Sequence, residues 1–546
     1  MEYDFEYTFT ATGVYATDQG VISGIPALGE TGAAASIVAG APAGQMRVQG
    51  LTGMIAGYVG KRMLVQGADS AANNGWFEIA AVNSDTEVDL INASAVIPDA
   101  NNGSISWDLG DISIKVNLKE GSGGIAFELD DSGTPAPPVF YDARSTIGSA
   151  GTTINKSFFI KGTNLAKTKI HGGKQPFLVQ DIGTKHDFHV EDIYFVDTWM
   201  MPVHLRRMRH GTILLCDLDA ETAIGRGVPP KVFNGQSEQE FWGFKAGCYN
   251  FEDGPNGKVR IEQCNINLHA GAYAGTGEEN CASKGIQVMV CPPTCRIIIK
   301  NNSVKGAALR GISVVDHRGF VQVHGNIVDM NAPFLHKGSL SEYHNQGAVS
   351  GSGITISNGY SFVHEPIDKG EVDYYKNVVT VRQKDMVGVQ IAGRRPSDVG
   401  PLSIRKNHFT MVGDASNRPL AGILFQGMDY ASLSGNTFAG NAQIGMLIGC
   451  VTSVYEFGTK GNSFDNVFKD LAIDHGVMAF IGADGQSNTL VGKGLPTETL
   501  QFPVDAELVA QNDLNHTPGY ALVIGDVAAG VAAILSDLNT KGIGYN

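Results

Sequence analysis

The stretch Gly285-Ile-Gln-Val-Met-Val-Cys-Pro-Pro-Thr-Cys-Arg-Ile-Ile-Ile-Lys-Asn-Asn302-Ser-Val304 decides the fold, because both of its halves return along the chain. The first half is glycine followed by apolar, any, apolar. It recurs as Gly311-Ile-Ser-Val314, Gly353-Ile-Thr-Ile356, Gly388-Val-Gln-Ile391, Gly422-Ile-Leu-Phe425 and Gly445-Met-Leu-Ile448. The second half reads apolar, two polar residues, asparagine, any residue, apolar. It recurs around Asn326, Asn377, Asn407 and Asn436, and Asn462 keeps its last part. Upstream copies put Ile193, Leu218 and Cys264 where the asparagine stands. Successive asparagines lie 24 to 51 residues apart. The short intervals suit one turn of a solenoid, and the long ones suit a turn plus an insertion. No turn can bury its apolar edge alone, so the turns must stack. The asparagine sits between two strands, where its amide can bond identical amides above and below.

Composition agrees with a β-rich chain. There are 69 glycines in 546 residues, and charged residues make up 17%, against about 7% and about 25% in ordinary domains. This excludes a helical bundle. Lys+Arg number 40 against 55 Asp+Glu, a net charge of −15, which argues against a duplex-DNA binder, since phosphate binding needs clustered positive charge. No CxxC pair occurs among the seven cysteines. Cys291-Pro-Pro-Thr-Cys295 has no second pair at zinc spacing, so small buried hydrophobes are expected, with no metal and no cofactor. Met1-Glu-Tyr-Asp-Phe5 lacks the basic and apolar regions of a secretory signal, and the run 521–535 is too short to span a bilayer. No signal, no membrane insertion and no nucleic-acid partner are expected.

Upstream of the repeats, residues 46–107 read as a small β unit. Met63-Leu-Val65, Trp76-Phe-Glu-Ile79, Glu87-Val-Asp-Leu-Ile91 and Ser104-Ile-Ser-Trp107 are short strands, with turn signals at Asn73-Asn-Gly75 and Asn101-Asn-Gly103. The expected organisation is a β module over 1–110, a linker and cap over 111–154, a solenoid body over 155–490 and a C-terminal cap over 491–546.

The two repeated elements resemble the right-handed single-stranded parallel β-helix of the pectate-lyase-like superfamily. The stretch Gly67-Ala-Asp-Ser-Ala-Ala-Asn-Asn-Gly-Trp-Phe-Glu-Ile79, with Asp99-Ala-Asn-Asn-Gly-Ser-Ile-Ser-Trp107, is similar to a small β domain of bacteriophage structural proteins. A β-rich N-terminal module before a β-helix resembles the layout of phage tailspikes and tail fibres. That resemblance implies an all-β virion protein, a homotrimer joined to other virion proteins through residues 1–110. It would be made in the host cytoplasm and act at the host surface, where it binds polysaccharide with or without cleaving it. The polygalacturonase signatures Asn-Thr-Asp, Asp-Asp, Gly-His-Gly and Arg-Ile-Lys are absent, so the repeat speaks for the fold and leaves enzyme activity open. Two alternatives stand beside this expectation. One is a purely structural spike or decoration protein that uses the β-helix as a rigid rod. The other is a cellular polysaccharide lyase or hydrolase.

Candidate chemistry follows from strand alternation. The residue after the inward apolar one faces out, which gives an outer ladder of Glu191, Cys216, Glu262, Lys300, His324, Tyr375, Arg405 and Ser434. Glu191 and Glu262, two turns apart at about 9–10 Å, are near the ~6.5–9.5 Å separation of inverting glycosidases. They are the candidate acid and base, with Lys300 and His324 as further catalytic candidates able to bind a substrate carboxylate or remove an adjacent proton. Insertions over 219–243, 268–284 and 329–352 carry the candidate substrate-binding residues Glu240, Trp242, Tyr273, Glu279 and Tyr343, joined by Arg405 on the ladder. Asp316 and His317 at the opposite corner are the alternative pair, since an aspartate beside a histidine can orient a general base.

Overall fold

In Val321-Gln-Val-His324 and Arg260-Ile-Glu262, apolar residues alternate with polar ones, and the extended backbone sends the two sets to opposite faces. A computed structural model of the chain describes residues 3–129, 153–163, 167–173, 175–198, 201–219, 249–252, 257–268, 284–307, 310–330, 351–358, 372–382, 386–393, 402–413, 419, 421–426, 431–440 and 444–449. It also describes the short strands 452–454, 457–460, 463–465, 469–474, 477–480, 489–490, 508–509 and 521–523.

The protein is all-β in character. Two parallel sheets of twelve strands and one of eleven account for most of it. From Lys156 onward the chain visits the three sheets in turn. Lys156–Gly162 enters the first sheet, Thr168–His171 the second and Phe177–Val179 the third, and the rotation then repeats. Inward residues form columns: Val190, Ile213, Ile261, Ile299, Val323, Tyr374 and Ile404 are fully buried at successive positions of the first sheet.

The corner between the first and second sheets is held by asparagines. Asn302, Asn326, Asn377, Asn407 and Asn436 stack as the spacing predicts. Each of Asn302, Asn326 and Asn377 donates through Nδ2 to the next Oδ1 at 2.9–3.0 Å, and also to a backbone carbonyl of the preceding level at 2.9–3.0 Å. The residue before each asparagine, or its equivalent, adopts positive φ. Asp192, Leu215, Gln263, Asn301, Lys376 and Lys406 do so at 54–57°, and only Gly325 and Gly435 use glycine. A single left-handed residue makes the bend, and the stacked amides hold it.

Before residue 111 the architecture changes. Strands β2 (Thr31–Val38), β3 (Gln45–Gln49), β4 (Arg62–Gln66), β5 (Gly75–Ser84), β6 (Glu87–Ile91) and β7 (Ile105–Leu109) close an antiparallel barrel in the order β2-β3-β6-β5-β4-β7. Met46, Val48, Met63, Val65, Ile79 and Leu90 fill it. The barrel is an insertion. β1 (Phe5–Thr10) lies outside it and pairs in parallel with β8 (Ile112–Lys119), which in turn pairs with Lys156–Gly162. The stretches expected as N-terminal module and linker therefore each give a strand to the first parallel sheet. Buried Lys156 ties barrel to sheet, donating to Asp108 Oδ1 at 2.5 Å and to the Leu28 carbonyl at 2.8 Å. Arg62 of β4 binds Asp111 through two bonds of 2.6 and 2.9 Å.

Candidate functional site

The outward ladder of the first sheet runs Lys161, Glu191, Leu214, Glu262, Lys300, His324, Tyr375, Arg405, one residue per level. Two members differ from the sequence expectation. Leu214 stands where Cys216 was expected, and Lys161 extends the row. Cys216 is fully buried at the corner, at the position held by Asn302 and Cys264 on later levels. The reason is the unbroken apolar run Ile213-Leu-Leu-Cys216, in which Leu215 takes the left-handed bend, so the pattern slips by two residues. Cys216, rather than Leu218, is the asparagine equivalent.

Glu191 and Glu262 are two strand spacings apart, with Leu214 between them, or about 9.6 Å. Each carboxylate is already occupied. Glu191 lies 2.7 Å from Lys161 Nζ and 2.9 Å from His189 Nε2. Burial works to raise its carboxyl pKa, but the bonds from Lys161 and His189 outweigh it and hold the group below the ordinary glutamate range. Burial in turn pushes the His189 imidazole down, against the pull of Glu191. Glu262 is gripped by Arg260, Nε to Oε1 at 3.0 Å and a terminal nitrogen to Oε2 at 2.9 Å. A general acid needs a carboxyl that keeps its proton near neutral pH, and Glu191 is tuned the other way.

Farther along, His324 and Tyr375 stack with ring centroids 4.5 Å apart and planes 4° from parallel. The Arg405 guanidinium covers the other face of this stack, 4.4 Å from the Tyr375 centroid, while Asp373 accepts from it at 3.3 and 2.8 Å. Burial and the Lys300 charge push the His324 imidazole down. Both faces of Tyr375 and one face of His324 are used up inside the stack, so the rims of His324, Tyr375 and Arg405 are the hydrogen-bonding groups of this strip.

The structure brings Glu191, Glu262, Lys300, His324 and Arg405 onto one face. It does not bring the alternative pair there: His317 ends the strand Arg310–His317 of the third sheet and is fully buried. The side chain of Asp316, and Glu240, Trp242, Tyr273, Glu279 and Tyr343 with most of their insertions, lie outside the described residues. The partners Lys161, His189, Arg260 and Asp373 were not singled out in the sequence. Arg260-Ile-Glu262 was legible, since residues two apart on a strand share a face. Lys161 with Glu191 was not, because a crossing of two other sheets separates them.

Among the described residues no three His, Cys, Asp or Glu side chains converge to hold a metal ion, and no helix is long and apolar enough to cross a membrane. Cys216, Cys264, Cys291 and Cys295 are free and buried. Neither a protein-family model nor a curated protein matches the chain.

Proposed function

We propose that the three sheets are faces of one right-handed single-stranded parallel β-helix. On this reading the chain is a bacteriophage tailspike- or tail-fibre-type virion protein whose first-sheet ladder binds host-surface polysaccharide. Strands that enter three parallel sheets in rotation support the winding, since parallel crossovers are right-handed almost without exception. The observation that carries the binding reading is the outward strip from Lys161 to Arg405. Its eight levels span about 34 Å, which suits an extended polymer rather than a single small molecule. Its rims and charges are the hydrogen-bonding groups that sugar hydroxyls and acids require. In this reading the barrel and its surroundings face other virion proteins, and homotrimer packing buries part of the remaining surface.

The reading is of binding without cleavage at Glu191 and Glu262. Glu191 is bonded by Lys161 and His189, and Glu262 by Arg260, so neither carboxyl is placed to protonate a glycosidic oxygen. The test is calorimetric titration of purified protein with host-envelope polysaccharide, together with a reducing-sugar assay. Binding that falls about tenfold or more in Arg405→Ala, without sugar release, is the expected result. Sugar release abolished by Glu191→Gln or Glu262→Gln would reject the non-cleaving reading. Absence of binding would favour the second reading, a structural rod. That reading is favoured by the bonds Lys161–Glu191 and Arg405–Asp373, which tie neighbouring levels together.

A further inference from the structure

Four residues before the ladder, a second outward row crosses the same strands as His210, Lys258, Arg296, Phe320. Lys258 and Arg296 are register partners on adjacent strands, about 4.8 Å apart. Arg260 lies two residues along from Lys258, and Lys300 four residues along from Arg296, all on the same face. Glu262, the register partner of Lys300, has both of its oxygens taken by Arg260. Asp187, next to His210 in the row, is bound by Arg209 at 2.8 and 2.6 Å. Among the described residues Lys258, Arg296 and Lys300 have no ion-pair partner. The Arg296 guanidinium rests 4.9 Å over the Phe320 ring, exposed to solvent.

Like charges placed opposite each other on a sheet are destabilising. Burial, together with the charges of Arg260 and Arg296, pushes the Lys258 ammonium below the ordinary lysine range. A chain of net charge −15 thus concentrates cations on two neighbouring strands, and among the described residues none of Lys258, Arg296 and Lys300 is ion-paired. We infer that Lys258, Arg296 and Lys300, supported by Arg260, form a binding site for the carboxylates of an acidic polysaccharide. Arginine grips a carboxylate with two parallel bonds, and lysine adds a charge that tolerates different approaches. The three cations sit at spacings of about 5 and 13 Å, so they meet successive acid groups of a polymer better than one small anion. Duplex nucleic acid suits the site less, since its dense phosphates would meet the net negative charge beyond these strands. The inference names the ligand class for the glycan-binding reading and rests on it.

Calorimetry with polygalacturonate, neutral dextran and host-envelope glycan as probes tests it, at low and moderate salt. Polygalacturonate is expected to bind about tenfold or more tightly than dextran and to weaken as salt rises. The double variant Lys258→Glu/Arg296→Glu should weaken it by a further tenfold or more. A control, Lys169→Glu/Lys305→Glu, makes the same charge change at exposed positions of the second sheet and should stay within about twofold, with far-UV spectra showing both doubles folded. Equal loss in both doubles would reduce the effect to net charge and overturn the site. Binding of host glycan or dextran without polygalacturonate removes the inference and leaves the glycan-binding reading in place. Failure of all three probes removes both. Duplex DNA bound as tightly as polygalacturonate, and lost in the same double variant, would overturn the assignment to polysaccharide.

Discussion

Replacing Asn377 by leucine removes one amide from the middle of the corner stack. Its Oδ1 accepts from Asn326 N at 3.1 Å and from Asn326 Nδ2 at 2.9 Å, and its Nδ2 donates to Val323 O at 3.0 Å and to Asn407 Oδ1 at 3.0 Å. Leucine keeps the backbone bond from residue 377 to Asn407 Oδ1, so that oxygen retains a donor. Two buried donors are left without a partner, the Asn326 amide N–H and one Asn326 side-chain N–H, while the Val323 carbonyl keeps its bond to the neighbouring strand. At about 1–3 kcal/mol each, less about 2 kcal/mol returned by burying the leucine side chain, the expected loss is about 0–4 kcal/mol, centred near 2 kcal/mol. Urea titration followed by far-UV circular dichroism reads it if unfolding reverses, and the unfolding rate reads it otherwise. A gain in stability would refute the view that these amides, rather than the apolar columns beside them, hold the corner.

Tyr374 is fully buried, and its hydroxyl has no hydrogen-bond partner among the described residues. Tyr374→Phe should therefore raise stability by about 1 kcal/mol, and a loss of that size in a thermal melt would show that the hydroxyl is bonded. His171 is held between Asp197 and Glu128, with its pKa raised to about 9, and Asp197 contributes most. A raised value means its stabilisation is complete below the ordinary histidine pKa of about 6.5 and disappears as pH climbs through about 9. After allowance for partial exposure this is about 1–3 kcal/mol, and a His171→Gln variant should lose this slope between pH 6.5 and 9 in urea midpoints. Lys156→Met leaves the Asp108 carboxylate buried beside a methionine. It should cost about 3–5 kcal/mol, and a Lys156→Met/Asp108→Leu double variant should recover much of that in the same titration.

The asparagine corner was legible because its chemistry repeats: one amide per level, flanked by inward apolar residues such as Ile299 and Val323. The ladder was legible from Glu262 to Arg405, where alternation is clean. It failed at Ile213-Leu-Leu-Cys216, where apolar residues occupy both faces and the bend, so alternation carries no signal. Two of the six barrel strands, β2 and β3, were not named from the sequence, β2 for a related reason. Thr31-Gly-Ala-Ala-Ala-Ser-Ile-Val38 is built of small residues, and its partners supply the bulk: a side chain added at Gly32 would strike the Trp107 ring at 2.6 Å. The membership of β1 in the parallel sheet was beyond sequence patterns, since its partner β8 begins more than a hundred residues later. The pairing of Glu191 with Lys161 was hidden likewise, because it depends on register across levels. That pairing is what turns a candidate acid into a held carboxylate.

The placing of the barrel between β1 and β8 has a consequence for the order of folding. Thr31 pairs with Asp108, and the Leu109 amide donates to the Glu30 carbonyl at 3.0 Å, so the insertion begins and ends at one point. Once the barrel has closed, the free chain joining β1 to β8 shrinks from about 100 residues to about 20, which lowers the entropic cost of bringing the two strands together by about 1.4 kcal/mol. The barrel thus acts as a clasp that draws the first strand of the long sheet to its neighbour. A chain whose barrel is slow to close would assemble the later levels first and add β1 last.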